Sequence, residues 1–391
     1  MPSSYSNPLQ SVRVVDLSRL VAGNMVSHLL ADFGADVIKV EKPGSGDDLR
    51  KWSEQGIEIF WKVYSRNKRS VCWDLKNEQD RGFLLKLIES SEVLIENFVP
   101  GKLEELGLGP DSLWKRNPRL IIVRVSGWGQ TGPYRNRPGF GTLVEAMSGY
   151  AHLNGFPDRP PTVPPLATAD MIAGLYGAYA VMVALRHIER NGGEGQVVDL
   201  SLFESIFSFV ASEPLKHRVS GKVSTRLGNQ AVNTAPRNVY ATRDGEYLAL
   251  SASVQSMYER LVSAIGRPEL IRDSRFRTNQ DRVENRDALD SIIGAFIAGK
   301  TLEENLGFFE AEKITVGPVL AMDRLLDHPY VTGREILKEF PDEDLGSIPA
   351  HTPLPRLSST PAKIRTPAPR LGEHTRQIEK EISEESNPPE K

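Results

Sequence analysis

The chain has 391 residues, 39 % of them hydrophobic and 25 % charged, with a formal net charge of −3. That length holds two domains and a substantial core, and the near-neutral balance excludes a global basic field for nucleic acid. The single cysteine, Cys72, excludes a disulfide within the chain.

Val12–Leu17 reads as a strand, Ser18–Gly23 as a turn and Asn24–Phe33 as a helix. Val37–Glu41 then reads as a second strand, which completes a βαβ unit. That unit signals a parallel sheet of the doubly wound α/β class. Ligands of such sheets bind at the carboxyl ends of the strands. Gly44-Ser-Gly46 begins like a dinucleotide fingerprint, but Leu49 stands where the third glycine belongs, so no nicotinamide cofactor is expected. Strands follow at Ser70–Leu75, Val93–Phe98 and Leu120–Ser126, with helices at Asn77–Ser90 and Lys102–Leu106 between them. Cys72 lies in the first of these strands and reads as a small buried hydrophobe.

A Gly-rich loop, Gly127–Tyr134, leads to Arg135 and Arg137. Then comes Asp170, a lone acid at the mouth of the apolar run Met171–Leu185. The run reads as a helix with Asp170 at its N-cap. It is too short to span a bilayer. Gly174 and Gly177 on its first turns suit a close neighbour. By itself Asp170 is either a cap or a nucleophilic carboxylate, and the helix pattern does not choose. Gln196–Leu200 reads as a strand, with a helix starting near Ser201.

Composition divides the chain into a large domain over 1–215, a linker over 216–237, a small α+β domain over 238–325, a proline-rich segment over 326–377, which only the resemblance given below returns to the large domain, and a disordered tail over 378–391. The small domain opens on an antiparallel pair over Asn238–Ser251. The prolines from Pro341 to Pro369 read as an extended return. Scattered histidines give no metal-ligand spacing, so no metal site is expected. The polar residues 1–8 lack a signal-peptide core, so a cytoplasmic setting with no membrane association is expected.

Several stretches in order resemble the class III CoA-transferases, the crotonobetainyl-CoA and formyl-CoA transferase (CaiB/BaiF) family. They are Val14–Gly23, Gly34–Glu41, Arg66–Ser70 with Asp74–Lys76, Glu96–Phe98 with Pro100-Gly101, Gly127–Pro133, Asp170 in its apolar context, Gly195–Leu202 and Leu371–Thr375. The resemblance implies a Rossmann-like large domain built from both chain ends, an inserted small domain and an interlocked homodimer. It implies no permanently bound cofactor, a coenzyme A thioester as co-substrate and a small carboxylic acid as acceptor. It makes Asp170 the nucleophile, which forms a mixed anhydride and then an aspartyl-CoA thioester. A helix N-terminus would help keep that carboxylate ionised.

The resemblance also implies CoA contacts. Val21 and Ala22 line the mouth of the site, and Lys42 faces the phosphates. Trp73 with Lys76 forms a further contact, as do Asn97, Phe98 and Val99, and Arg137 lies close to another. Glu105 stands where many members carry an arginine, and Gly141 where the formyl-CoA enzymes carry an acid. No histidine lies between Trp128 and Tyr150, which removes one base of the 2-methylacyl-CoA racemase pair. That racemase, and a catalytically silent acyl-CoA-binding subunit, are the alternatives. The stretch Gly139–Gly149 is similar to the branch that uses succinyl-CoA. Arg159 and Arg237 either hold a distal carboxylate of the acceptor or face water.

Overall fold

A computed structural model describes residues 7–386, which divide into two compact units. The larger unit takes the chain up to Tyr150, residues 163–219 and everything from Arg334 on. Its centre is a six-stranded sheet, ordered β3-β2-β1-β4-β5-β6. The strands are β1 (Arg13–Asp16), β2 (Asp36–Glu41), β3 (Lys68–Cys72), β4 (Val93–Glu96), β5 (Ile121–Ser126) and β6 (Val197–Ser201). Every neighbouring pair is parallel. Strands covered on both faces are mostly apolar. Accordingly Val14, Val15, Ile38, Leu94, Ile95 and Val123 are fully buried. The order reverses between β1 and β4, and an open parallel sheet offers its ligand crevice at such a point.

The largest helix covers Thr168–Asn191. It has the length and apolarity to cross a membrane, which corrects the shorter span expected from Met171–Leu185. Here its buried face, including Ile172, Val181 and Leu185, is part of the core beside the sheet. Gly174 and Gly177 meet the first helix (Ala22–Asp32): a Cβ on either would lie 2.5 Å from Met25 or Val26. The close neighbour expected from those two glycines is therefore this helix.

Two further expectations fail in the larger unit. The supposed disordered tail is a helix over Thr375–Ser386 as far as it is described, and 387–391 lie outside the described residues. Ile378 and Ile382, one turn apart, are 1 % and 2 % exposed in the core beside Trp73. Arg69 bonds Glu381 at 2.8 Å and Arg13 bonds Glu385 at 3.1 Å. A narrow apolar stripe among charges was enough for helix docking. The proline-rich return contains an antiparallel hairpin, β10 (Leu337–Asp342) with β11 (Gly346–His351). Lys62 reaches Asp342 at 2.6 Å and Arg66 reaches the His351 carbonyl at 2.7 Å, which ties the hairpin down.

The smaller unit consists of residues 151–162 and 220–333. Its sheet is β7 (Arg237–Ala241), β8 (Tyr247–Ser251) and β9 (Val316–Pro318), antiparallel in that order. Helices Gln255–Ala264, Arg286–Ala298 and Leu302–Ala311 supply its core. The stretch read as a linker is not loose. Arg282, fully buried, donates to the Ala235 carbonyl at 2.8 Å, and Arg286 donates to the Ala231 carbonyl at 2.8 Å. Residues 151–162 join it because Gly228 donates to the Gly155 carbonyl and Arg226 to the Phe156 carbonyl. Polar composition concealed this pinning, which works through main-chain carbonyls.

Candidate active site

Asp170 is the third residue of its helix, not its N-cap. The N-cap is Ala167, which has no capping side chain. A remote acid fills that role. Glu145, on the helix Gly141–Met147, accepts the Ala169 N–H at 2.9 Å and is 1 % exposed. Gly141 lies one turn before Glu145 on the same side. A Cβ built on Gly141 would stand 2.5 Å from Asp170 Oδ2 and 3.7 Å from Glu145 Oε1. The Asp170 carboxylate thus lies against bare backbone, beside a second carboxylate. Burial, and next the Glu145 charge, push its pKa up to about 6, while its own backbone N–H pulls the other way. The helix terminus does not win here, contrary to expectation, because desolvation of a carboxylate outweighs it. At pH 7 about nine molecules in ten still carry the charge.

A cavity of about 660 Å³ opens at the carboxyl ends of β1, β2, β3 and β4, where the strand order reverses. Lys42, Lys76, Phe98 and Val99 line it together. Arg19 and Lys102 line it too, and the sequence had not placed Arg19 there. Lys102 is paired with Glu105 at 2.6 Å, so the acid found in place of an arginine weakens that cation's pull on a phosphate. Trp73 touches the cavity, but its side chain is only 2 % exposed. It stacks on Phe83 and donates to Glu379 at 3.2 Å. Its ring is mostly packed in the core, while the residue borders the cavity where the resemblance expects a CoA contact.

The remaining expected contacts lie outside that cavity. Asn97 clamps the loop after β1, accepting from the Arg19 N–H at 2.9 Å and donating to the Arg19 carbonyl at 2.7 Å. The next residue, Leu20, is held in the left-handed region at φ 61°, and its N–H donates to Asp47. Such strain persists only where neighbours over-determine it. Val21 and Ala22 are buried. Val21 clusters with Leu49 and Trp61, and against this cluster pack Ala167 and Met171 on either side of Asp170. The loop that lines the cavity therefore continues directly into the packing that flanks Asp170. Arg137 lies elsewhere, its guanidinium 3.8 Å over the Tyr134 ring. Arg159 and Arg237 are exposed residues of the smaller unit.

Beneath the Ser18–Leu20 loop lies an ionic scaffold whose role the sequence did not reveal. Lys39 is fully buried between Asp16 at 3.2 Å and Asp47 at 3.0 Å, and also donates to the Ser18 carbonyl. Burial alone would lower its pKa, but the two aspartates win and raise it. Lys68 donates to Asn24 Oδ1 at 2.9 Å, and burial brings its pKa down to about 8. Asn24 in turn donates to Asp47 and to the Leu20 carbonyl. Glu41 receives Arg50, Ser70 and the Asp47 N–H. Buried charges are tolerated only when paired this fully. The repeated Asp, Lys, Glu and Arg of the early motifs thus set the loops and need not touch a ligand.

A family model for the CoA-transferase family III matches residues 9–375. The chain belongs to that family. It is 39 % identical over 374 residues to the succinyl-CoA–D-citramalate CoA-transferase of Chloroflexus aurantiacus, covering 95 % of this chain and 93 % of that one. It is 34 % identical to the succinate–glutarate CoA-transferase of Agrobacterium fabrum, covering 96 % of both chains. A crystal structure of a CaiB/BaiF family protein from Brucella suis superposes with a TM-score of 0.84. That protein is 33 % identical to this chain, and the match covers 96 % of this chain and 99 % of that one. The central parallel sheet of the larger unit is the α/β fold of that family.

Proposed function

We propose that the protein moves coenzyme A from succinyl-CoA to a small di- or hydroxy-dicarboxylic acid, with Asp170 as the nucleophile. The single observation that carries this is the Asp170 carboxylate lying against the bare Cα of Gly141. Residue 141 puts no side chain between that oxygen and an incoming acyl carbon. The relatives that act on citramalate and glutarate support the substrate class.

The steps balance without a further reagent. Asp170 Oδ attacks the thioester carbonyl, the C–S bond breaks and CoA leaves as thiolate, giving a mixed anhydride. The thiolate attacks the Asp170 carbonyl carbon and expels succinate, leaving an aspartyl-CoA thioester. The acceptor carboxylate then displaces CoA to form a second anhydride. The thiolate takes the acceptor's acyl group and restores the Asp170 carboxylate. Water must be excluded throughout, because the anhydrides and the thioester hydrolyse. In this reading Lys42, Lys76 and Arg19 hold CoA phosphates at the strand ends. Val21, Ala22 and Asn97 shape the path to Asp170. Phe98 and Val99 cover apolar parts of the thioester.

The test is peptide mass spectrometry after mixing the protein with succinyl-CoA and quenching with hydroxylamine. A hydroxamate confined to the Asp170 peptide, and absent from Asp170→Ala, is expected. No hydroxamate with any acyl-CoA, despite measurable CoA binding, would sink the reading. The raised pKa adds a pH signature. Attack needs the ionised carboxylate, so kcat/KM should fall as pH drops through about 6. An acid limb near pH 4 would show instead that Asp170 behaves like an exposed aspartate.

We also propose a homodimer whose two chains interlock. The outward face of the Asp170 helix, with Leu175, Tyr179 and Met182 exposed one turn apart, supports it. Light scattering at the mass of one chain would remove it.

A further inference from the structure

Glu145 does more than the cap requires. A neutral amide oxygen would accept the Ala169 N–H equally well. Instead a carboxylate is buried there to 1 % exposure. Placing a charge in such a site is costly. Gly141 and Glu145, one helical turn apart, face the same side. Their common neighbour is Asp170: Oδ2 of Asp170 and Oε1 of Glu145 lie 2.5 Å and 3.7 Å from the place where a Gly141 Cβ would stand. Among the described residues, the hydrogen bond to the Asp170 carboxylate comes from its own backbone N–H, which leaves its oxygens open to a ligand. A donor at position 145 would change that. A carboxylate cannot donate, and it repels.

We propose that Glu145 is a positioning residue for Asp170: it anchors the first turn of the nucleophile's helix through Ala169. By like-charge repulsion beside the Gly141 backbone, it also keeps the Asp170 carboxylate from being tied by a hydrogen bond, with its lone pairs free. The proposal rests on the reading of Asp170 as nucleophile. Glu145 is the charge acting on Asp170, and on the packed helix Ala22–Asp32 the titratable groups His28 and Asp32 are engaged with each other, and Asp32 with Arg66. Glu204, on the helix Leu202–Phe207, is solvent-exposed. Arg186, Glu189 and Arg190 lie about 24 Å or more along the Asp170 helix at its 1.5 Å rise per residue.

The decisive variant is Glu145→Gln. It keeps an acceptor for Ala169, removes the repulsion and supplies an N–H that can bond Asp170. The expected result is an unchanged melting temperature or a small gain, an unchanged KM for the acyl-CoA, kcat lower by about tenfold, and an acid limb of kcat/KM moved to lower pH. Glu145→Ala, which loses the cap too, should lose melting temperature as well as kcat. A merely structural role would move melting temperature and leave the acid limb in place. Glu145→Gln with both kcat and acid limb unchanged overturns the proposal. Hydroxylamine labelling separates the two readings. If the wild-type protein labels at Asp170 and the variant matches it kinetically, only the role of Glu145 falls. If wild-type Asp170 takes no label with any thioester, the nucleophile reading falls and takes this proposal with it.

Discussion

Asp170→Asn is expected to abolish CoA transfer while making the protein more stable. The asparagine keeps the shape of the side chain but cannot form the anhydride. Loss of a nucleophile typically removes a factor of about 10⁴ to 10⁶ from kcat. The stability change has the opposite sign. The carboxyl pKa rises from 3.8 in the free side chain to about 6 in the fold. The folded protein therefore binds this proton more tightly than the unfolded chain. Ionising Asp170 thus costs stability once pH exceeds the unfolded value, and the full cost is reached above the folded one. At pH 7 the neutral variant should gain up to about 3 kcal/mol. Transfer assays and urea unfolding at pH 7 check both halves. Retained transfer, or a clear loss of stability, would contradict this assignment.

Gly141→Ala separates geometry from chemistry. The new Cβ would stand 2.5 Å from Asp170 Oδ2, closer than real contacts allow. The obstacle is the end of a side chain, so it can rotate, and the fold should pay little. The rotation is what matters. Displacing a reacting group by about 1 Å can cost about 10²-fold in rate. We expect kcat to fall by that order, with the melting temperature within a few degrees and CoA affinity retained in calorimetry. Wild-type turnover in Gly141→Ala would mean that the acyl group approaches Asp170 from another side.

Much of this was legible before any coordinates. The alternation of apolar runs and glycine breaks marks the parallel strands, because strands buried on both faces are mostly apolar. Gly174 and Gly177 betray a close helix contact, because a helix does not otherwise favour glycine. The motifs around Asp170 point to the family. What stayed hidden has common causes. Glu145 is a single acid within an apolar helix, and its partner lies 24 positions away in sequence. Asp16, Lys39 and Lys68 read as surface charges one at a time, and only pairing across strands makes them an interior. The terminal helix was obscured by its own charges, although Ile378 and Ile382 at helical spacing were there to be seen.

That terminal helix has a consequence for how the protein is made. Trp73, Ile88 and Leu113 share a core cluster with Ile378 and Ile382. The first three leave the ribosome long before the last two. Residues 220–333, with 151–162 already synthesised, can close their own core while the chain is still growing. The larger unit cannot seal until residues 375–386 have left the ribosome. A truncated product lacking the final helix would carry an open apolar flank on an otherwise finished sheet, which a quality-control chaperone or protease can recognise.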